Sequence, residues 1–519
     1  MFAAGLACAC GENAGETSDG GSAQLMKNGA GGAGSHASGT HGSSARSDGG
    51  GPNPGDITDC LDSDHCNEGT STATAGPDAG VVIEAEIDEC TFRGHVSGGG
   101  LAQDQAQKNH QSLIDSHGDL VIVGSFSGTL DAGGMKLDAG GQLGAYVIKL
   151  DDRCHVRWAR VFASEANSAL WIVAVASDDT DHLYIGGGFN GQSVLGDSTS
   201  AKGSGFAGFV LQLDGDGNTT WSHVYKSTYN AVAVTDLVSD SQHRVTFVGY
   251  AGFDASFGGA PIGLISASSM PFIAQLHASD GSFAWSHSFT DADLLYGLAN
   301  SPHDDGFVLT GWATNSINLG NGPLTLGKGS RFLAKLDSQG QPSWAHALPH
   351  GADIDQWNWW KGGVVADTFG NIVVLRDEPF TLPGDSGARV LDDSVEKYTV
   401  DGAPSWQTRL SPDSTWEHEW GSALTSFSDS HPLRFGSFLG TTTYAGQAIT
   451  SRGGSDVALI ELGPEGIPLW THTMGDALDD RVLTVAVDSD DHIFATYAST
   501  TDDVTYEQDL VVTKLRRPR

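Results

Sequence analysis

Phe332 to Trp344 reads FLAKLDSQGQPSW: an apolar stretch alternating with period two, turn-forming residues from Asp337 to Gly340, and a second strand that opens at Trp344. Copies of this unit recur along the chain. Its tryptophan stands at Trp158, Trp221, Trp285, Trp344, Trp406 and Trp470, at intervals of 59 to 64 residues. Another strand keeps the same beat and occurs seven times, ending at Phe126, Phe189, Tyr250, Trp312, Asp377, Phe438 and Ala498. The apolar strand before the turn also occurs seven times, the last being Val511 to Leu515. Such a period, about 62 residues, predicts one large repeat domain rather than three independent ones.

Each full repeat supplies four short strands. In the fifth these are GGVVAD up to Asp367, NIVVLR, SVEKY and a strand beginning at Trp406. The seventh repeat stops at Leu515 without its fourth strand, whereas the N-terminal side has one to spare. There IDECTFRG around Cys90 aligns with LDDRCHVRW around Cys154, so Phe92 to Val96 takes the place of a strand that elsewhere starts at tryptophan. The pattern predicts an all-β fold, a seven-bladed β-propeller of four-stranded antiparallel blades over residues 85–519, closed by residues 90–97 as the outer strand of the last blade. A solenoid would give the spare strand no partner, whereas closure removes a free edge. Whether Cys90 and Cys154 pair is left open by the sequence.

Segments such as FLAKLDSQGQPSW, VVADTFGNIVVL and GDLVIVGSFSGTLDAGG resemble the bacterial seven-bladed β-propeller repeat family (SBBP-type repeats) over about residues 90–515. The resemblance implies the fold and an exported bacterial protein; the family carries no single activity or catalytic residue to transfer. The chain departs from that repeat after the tryptophan strand, where Gly-Gly-x-x-x-Asp becomes Ala163 to Asn167 or Ser411 to Trp416. Those loops are individual to this protein.

Lys plus Arg total 27 against 64 Asp plus Glu, a formal charge of −37, which repels nucleic acid and anionic membrane surfaces alike. No apolar run reaches the roughly 18 residues a membrane-spanning helix needs. Residues 1–10, MFAAGLACAC, are apolar and small like the end of a secretory signal but carry no basic stretch before the apolar one, and Cys8 or Cys10 resembles the lipidated cysteine of bacterial lipoproteins. Export with a lipid anchor, export without one, and an apolar start of no consequence all fit this stretch. With it goes a cell-envelope (outer-membrane-anchored) or extracellular location. Residues 11–80 are Gly, Ser, Ala, Asp and Thr with almost no large apolar side chains, the composition of a disordered tether. Within it Cys60 and Cys66 are a disulfide candidate, or two unpaired thiols; a metal there would need more ligands than Asp62, Asp64 and His65.

In this strand order the loops from strand four to the next strand one, and from strand two to three, share one face, and the remaining turns share the other. The latter are short and Asp-rich. Asp214, Asp216 and Asn218 mimic the opening of a calcium loop, but Tyr225 stands where its bidentate Glu belongs, so hairpin turn chemistry explains them. The former carry Trp171, Tyr229, Tyr296, Trp357, Trp359, Trp360, Trp416 and Trp420. In repeats five and six they thicken to DQWNWWKGG and STWEHEWGS, which makes Trp357, Asn358, Trp359, Trp360, Trp416, Glu417, Glu419 and Trp420 the candidate ligand-binding residues. About half of these aromatics are expected to pack inside the molecule. Glu417 and Glu419, about 7 Å apart on an extended chain, offer a glycosidase-like acid pair; with His418 they could also ligate a metal, though no further ligand is placed by the sequence. HASDGSFAW, His277 to Trp285, approaches the spacing of quinone-dependent dehydrogenase propellers, but the repeat is too long for them. The reading is therefore a non-catalytic, monomeric, exported propeller without metal or cofactor that recognises a protein or glycan. A secreted carbohydrate-active enzyme, glycosidase or lyase, using the same face is its competitor.

Overall fold

A computed structural model describes residues 87–101 and 110–518, apart from 197–199, 203–204, 229–230, 253, 263–269, 290–293, 314–315, 321, 327–329, 349–362, 382–388, 411–421, 445–446 and 503–506. Among the described residues every regular element is a β-strand. Six four-stranded antiparallel sheets follow one another along residues 111–162, 169–225, 232–288, 294–348, 364–409 and 422–474, here blades 1 to 6. The unit FLAKLDSQGQPSW is the third strand of blade 4, Ser330–Leu336, joined by its turn to the fourth, Pro342–Leu348.

Blade 7 takes three strands, Asp480–Val487, His492–Thr500 and Gln508–Arg516, from the C-terminal end and its fourth, Ile87–Ser97, from the other end of the chain. Thr91 faces Thr513 and Val96 faces Gln508 in an antiparallel register. The closing strand predicted from the repeat count is therefore in place, and the ring of seven blades is shut. Asp509 secures it, accepting from Arg93 at 2.9 Å and pairing with His95 Nδ1 at 2.8 Å.

The core lies between blades rather than within them. Val121, Val123 and Val147 of blade 1 pack on Ile185, Phe189 and Phe209 of blade 2, and equivalent clusters repeat around the ring. A single blade exposes both apolar faces, so only stacking removes them from water.

The recurrent tryptophan is the joint between neighbours. Trp470 donates to Glu461 of its own blade, whereas in four of the six the indole N–H donates to a backbone carbonyl in the third-to-fourth turn of the next blade: Trp158 to Gly215 at 2.9 Å, Trp221 to Ala278 at 2.9 Å, Trp344 to Val400 at 3.1 Å and Trp406 to Pro464 at 2.7 Å. The ring lies under the glycine of that turn. Gly217, Gly281, Gly340, Gly402 and Gly466 all have φ between +67° and +84°, and a Cβ on any of them would come within 2.6–3.0 Å of the preceding blade's indole. Positive φ and absent side chain are both required there. Two residues beyond the tryptophan a second donor reaches the same turn: His287 to the Gln339 carbonyl at 2.9 Å, Thr408 to that of Gly466 at 2.6 Å.

One feature was not expected from the repeat. Several strand-two-to-three connections fold into hairpins of their own: Thr129–Ala132 with Met135–Asp138, Gln192–Val194 with Ser200–Lys202, and Ser316–Asn318 with Pro323–Thr325. The first docks on the closing strand, His95 facing Asp131, and extends blade 7 to six strands. Its own outer strand carries Lys136, a charge that discourages further edge pairing.

Candidate recognition face

The loops between blades and the strand-two-to-three connections form the face on which the sequence places a ligand. Between blades 1 and 2 this face is tightly tied. Ser164 Oγ donates to the carbonyls of Leu143 at 2.7 Å and Ser168 at 2.9 Å, Ser168 Oγ accepts from the Gln192 backbone at 3.0 Å, and Gln192 donates to Glu165 at 2.7 Å. Trp171 is half-buried, its ring edge-on to Phe206 at 5.7 Å and so close over Gly188 that a Cβ there would meet it at 2.6 Å. Tyr296 is buried. These two aromatics serve packing. Tyr229, Trp357, Asn358, Trp359, Trp360, Trp416, Glu417, Glu419 and Trp420 lie outside the described residues.

Carboxylates gather where blade 6 meets blade 7. Asp456 and Asp480 are each 1% exposed. The loop between them folds onto blade 6, with Asp480 accepting from the Asp476 amide at 2.8 Å and Asp479 from the Ser455 amide at 2.9 Å. Burial, reinforced by the charges of Asp476 and Asp456 and opposed by hydrogen bonds from Asp476 N–H and Ser499, raises the Asp480 carboxyl to about 6. Burial also raises Asp456. One oxygen of Asp456 accepts the Arg452 amide at 3.1 Å; the other is enclosed without a hydrogen-bond partner. A raised carboxyl pKa is what a general acid needs. Here both groups are sealed in the seam, where a substrate cannot touch them.

The opposite face shows what its aspartates do. Asp214 accepts from the backbone N–H of Asp216 at 3.1 Å and Asn218 at 2.7 Å, and from the Asn218 amide at 3.1 Å. Although burial opposes it, these bonds hold its carboxyl below the ordinary value. The same pattern recurs at Asp151, Asp178, Asp240, Asp337, Asp367 and Asp488, each accepting from the amides two and four residues on. Turn chemistry accounts for the Asp-rich segments. Asp115, His117 and Asp181 bring possible metal-ligating atoms within 4.8 Å of one another, yet Lys149 fills that position, its ammonium 2.6 Å from Asp115 and 2.9 Å from Asp181. This hub joins the third strand of blade 1 to the first turn of blade 2, and the sequence reading missed it. Its signal was the buried polar residue opposite most of the tryptophans, as in Lys149 facing Trp158, Gln212 facing Trp221 and Lys335 facing Trp344.

No protein-family model matches the chain, and no curated protein does. Among solved structures it resembles Kuenenia stuttgartiensis hydrazine synthase, across 81% of this chain and 99% of that one, at 10% identity and TM-score 0.45. A protein of unknown function from Dyadobacter fermentans is similar over 85% and 98%, at 11% identity and TM-score 0.38; an ACO/RPE65 chimera over 67% and 70%, at 10% and 0.34. The chain is a β-propeller on its own strand order and ring closure. Likenesses this distant say nothing of activity.

Proposed function

We propose that this protein is an exported, non-catalytic β-propeller of the SBBP-repeat type whose loops at 349–362 and 411–421 recognise a protein or glycan. One observation carries the preference for binding over catalysis. Among the described residues, the three carboxyls whose pKa is raised, Asp119, Asp456 and Asp480, are each at most 4% exposed and belong to packed structure rather than to an open cleft. In chain order these two segments join blade 4 to blade 5 and blade 5 to blade 6, the same fourth-to-first-strand position of successive repeats. Their tryptophans suit recognition, since each ring offers a large contact area at little rotamer cost with an indole N–H to fix orientation. Export is supported by the buried Cys90–Cys154 disulfide, a bond that persists in oxidising compartments. Radioactive palmitate labelling tests the lipid anchor at Cys8 or Cys10.

A glycan array and a pull-down with the full chain identify the ligand. Trp359→Ala or Trp416→Ala is then expected to weaken binding about thirtyfold, roughly 2 kcal/mol, with little change in melting temperature. Lost stability with unchanged binding would place these rings in the structural core and sink the proposal. Release of sugar products that stops in Glu417→Gln or Glu419→Gln would instead establish the carbohydrate-active enzyme.

A further inference from the structure

The tryptophan–glycine joint links blades 1 to 6 in sequence; blade 6 meets blade 7 without it, Trp470 bonding Glu461 of its own blade, and blade 7 likewise meets blade 1 without it. In blade 1, Ala159 faces Ile148, Trp158 faces Lys149, and Val156 faces Leu150 after a one-residue irregularity. In blade 7, Thr91 faces Thr513 and Ile87 faces Leu515, again with an irregularity between them. That register, unlike the sequence alignment of Cys90 with Cys154, puts Cys90 directly before the Thr91–Thr513 pair, where blade 1 has Trp158 before the Ala159–Ile148 pair. Cys154 in turn replaces the turn glycine: its N–H donates to Asp151 O at 3.0 Å, as Gly217 does to Asp214 and Gly340 to Asp337 at 2.9 Å, and its φ is +58°. A side chain rarely adopts that conformation. At this one seam, therefore, a cysteine stands for the indole and a strained cysteine stands for the glycine, and the two are bonded, with Cα atoms 5.5 Å apart.

We propose that the Cys90–Cys154 disulfide is the covalent substitute for the tryptophan–glycine joint at the closing seam, and that it makes ring closure a redox-sensitive latch. Cys90 lies ahead of the continuously paired residues 91–96. Fraying that starts in the preceding chain is stopped at the cross-link before it reaches those pairs. A dithiol reductant releases the latch: one of its thiolates attacks a cystine sulfur, its second thiol displaces the mixed disulfide, and the products are two protein thiols and the reductant's own disulfide. Reduction leaves no indole hydrogen bond at this seam and a side chain still held at positive φ. What remains is pairing to residues 508–515 and to the hairpin at 129–131, with the bonds of Arg93 and His95 to Asp509.

Hydrogen exchange of the folded full chain, with and without dithiothreitol, reads the latch directly. Amides of residues 91–96 and 508–515 are expected to exchange on the order of a hundredfold faster after reduction, within the roughly thousandfold ceiling that loop-closure entropy sets for such a cross-link, while those of 270–277 and 330–336 keep their rates. Cys90→Ser with Cys154→Ser should exchange fast under both conditions. Cys90→Trp with Cys154→Gly, which restores the repeat's own joint, should exchange slowly under both. Equal rates at the seam in oxidised and reduced wild type would overturn the latch, and fast exchange in the Trp/Gly variant would overturn the equivalence to the joint. If the serine variant does not fold, the reduced wild type, prepared from folded protein, still decides.

Discussion

Gly340 sits at φ +74° with the ring of Trp285 2.7 Å from where a Cβ would be; Gly118 sits at φ +81° with nothing within 4 Å. Alanine at Gly118 therefore meets only backbone strain, about 1 kcal/mol. At Gly340 it meets strain plus a clash with the joint, and urea denaturation is expected to show a further loss of about 1–3 kcal/mol. Adding Trp285→Ala should remove the extra loss, because the two residues share one contact. Equal costs at the two glycines would mean that the indole does not bear on the turn. At this scale the sequence displayed the residues but hid their roles. Tryptophan and glycine recur at a fixed offset within each repeat, which reads as strand and turn chemistry; that the ring of one repeat serves the glycine of the next is visible only once the blades stack.

The loop from Gly475 to Asp479 closes over the seam between blades 6 and 7, with a cost set by pH. Asp480 titrates at about 6 in the folded chain against an ordinary 3.8, so the folded state binds this proton more tightly. Its favourable contribution is complete below pH 3.8 and is lost as the pH rises through 6, about 3 kcal/mol in all. Facing it are Asp476 and Asp456, whose charges act in the same direction, while Ser499 and the Asp476 N–H oppose them. Asp480→Asn keeps an acceptor for that N–H and cannot ionise. Its stability relative to wild type should be larger at pH 8 than at pH 5 by about 1 kcal/mol, measured by urea unfolding at each pH. A gap that does not change with pH would show that the carboxyl ionises freely. Strands with period two and Asp-led turns were legible at the scale of elements. The hairpin at 129–138 was written in its alternation around Gly133 and Gly134, but its docking on Ile87–Ser97 depends on where the ring closes, and no local pattern encodes that.

Across the whole molecule the repeat count fixed the closure, because seven third strands and six fourth strands leave one edge to fill. A chain beginning at Gly98 should lose that edge's cover along Gln508–Arg516, melt lower and associate through the open strand; light scattering and a melting curve check both, and a monomer with wild-type melting would show that the ring does not need its N-terminal strand. The loop aromatics were less legible, since such side chains can pack or project with the same sequence; Trp171 and Tyr296 pack. The position of the hairpin at 129–138 bears on how the ring is made. Arg93 and Asp509 are 416 residues apart in the chain, so during synthesis the closing strand emerges long before its partner. Yet Asp131 and Cys154 follow it closely, and both hold it in the finished structure. A nascent chain that has completed blade 1 can already berth the strand Ile87–Ser97 there, presented edge-outward. The strand Gln508–Arg516, made more than 400 residues later, then meets a template instead of searching for a loose end, and the most non-local pairing in the fold becomes the docking of one strand on a waiting edge.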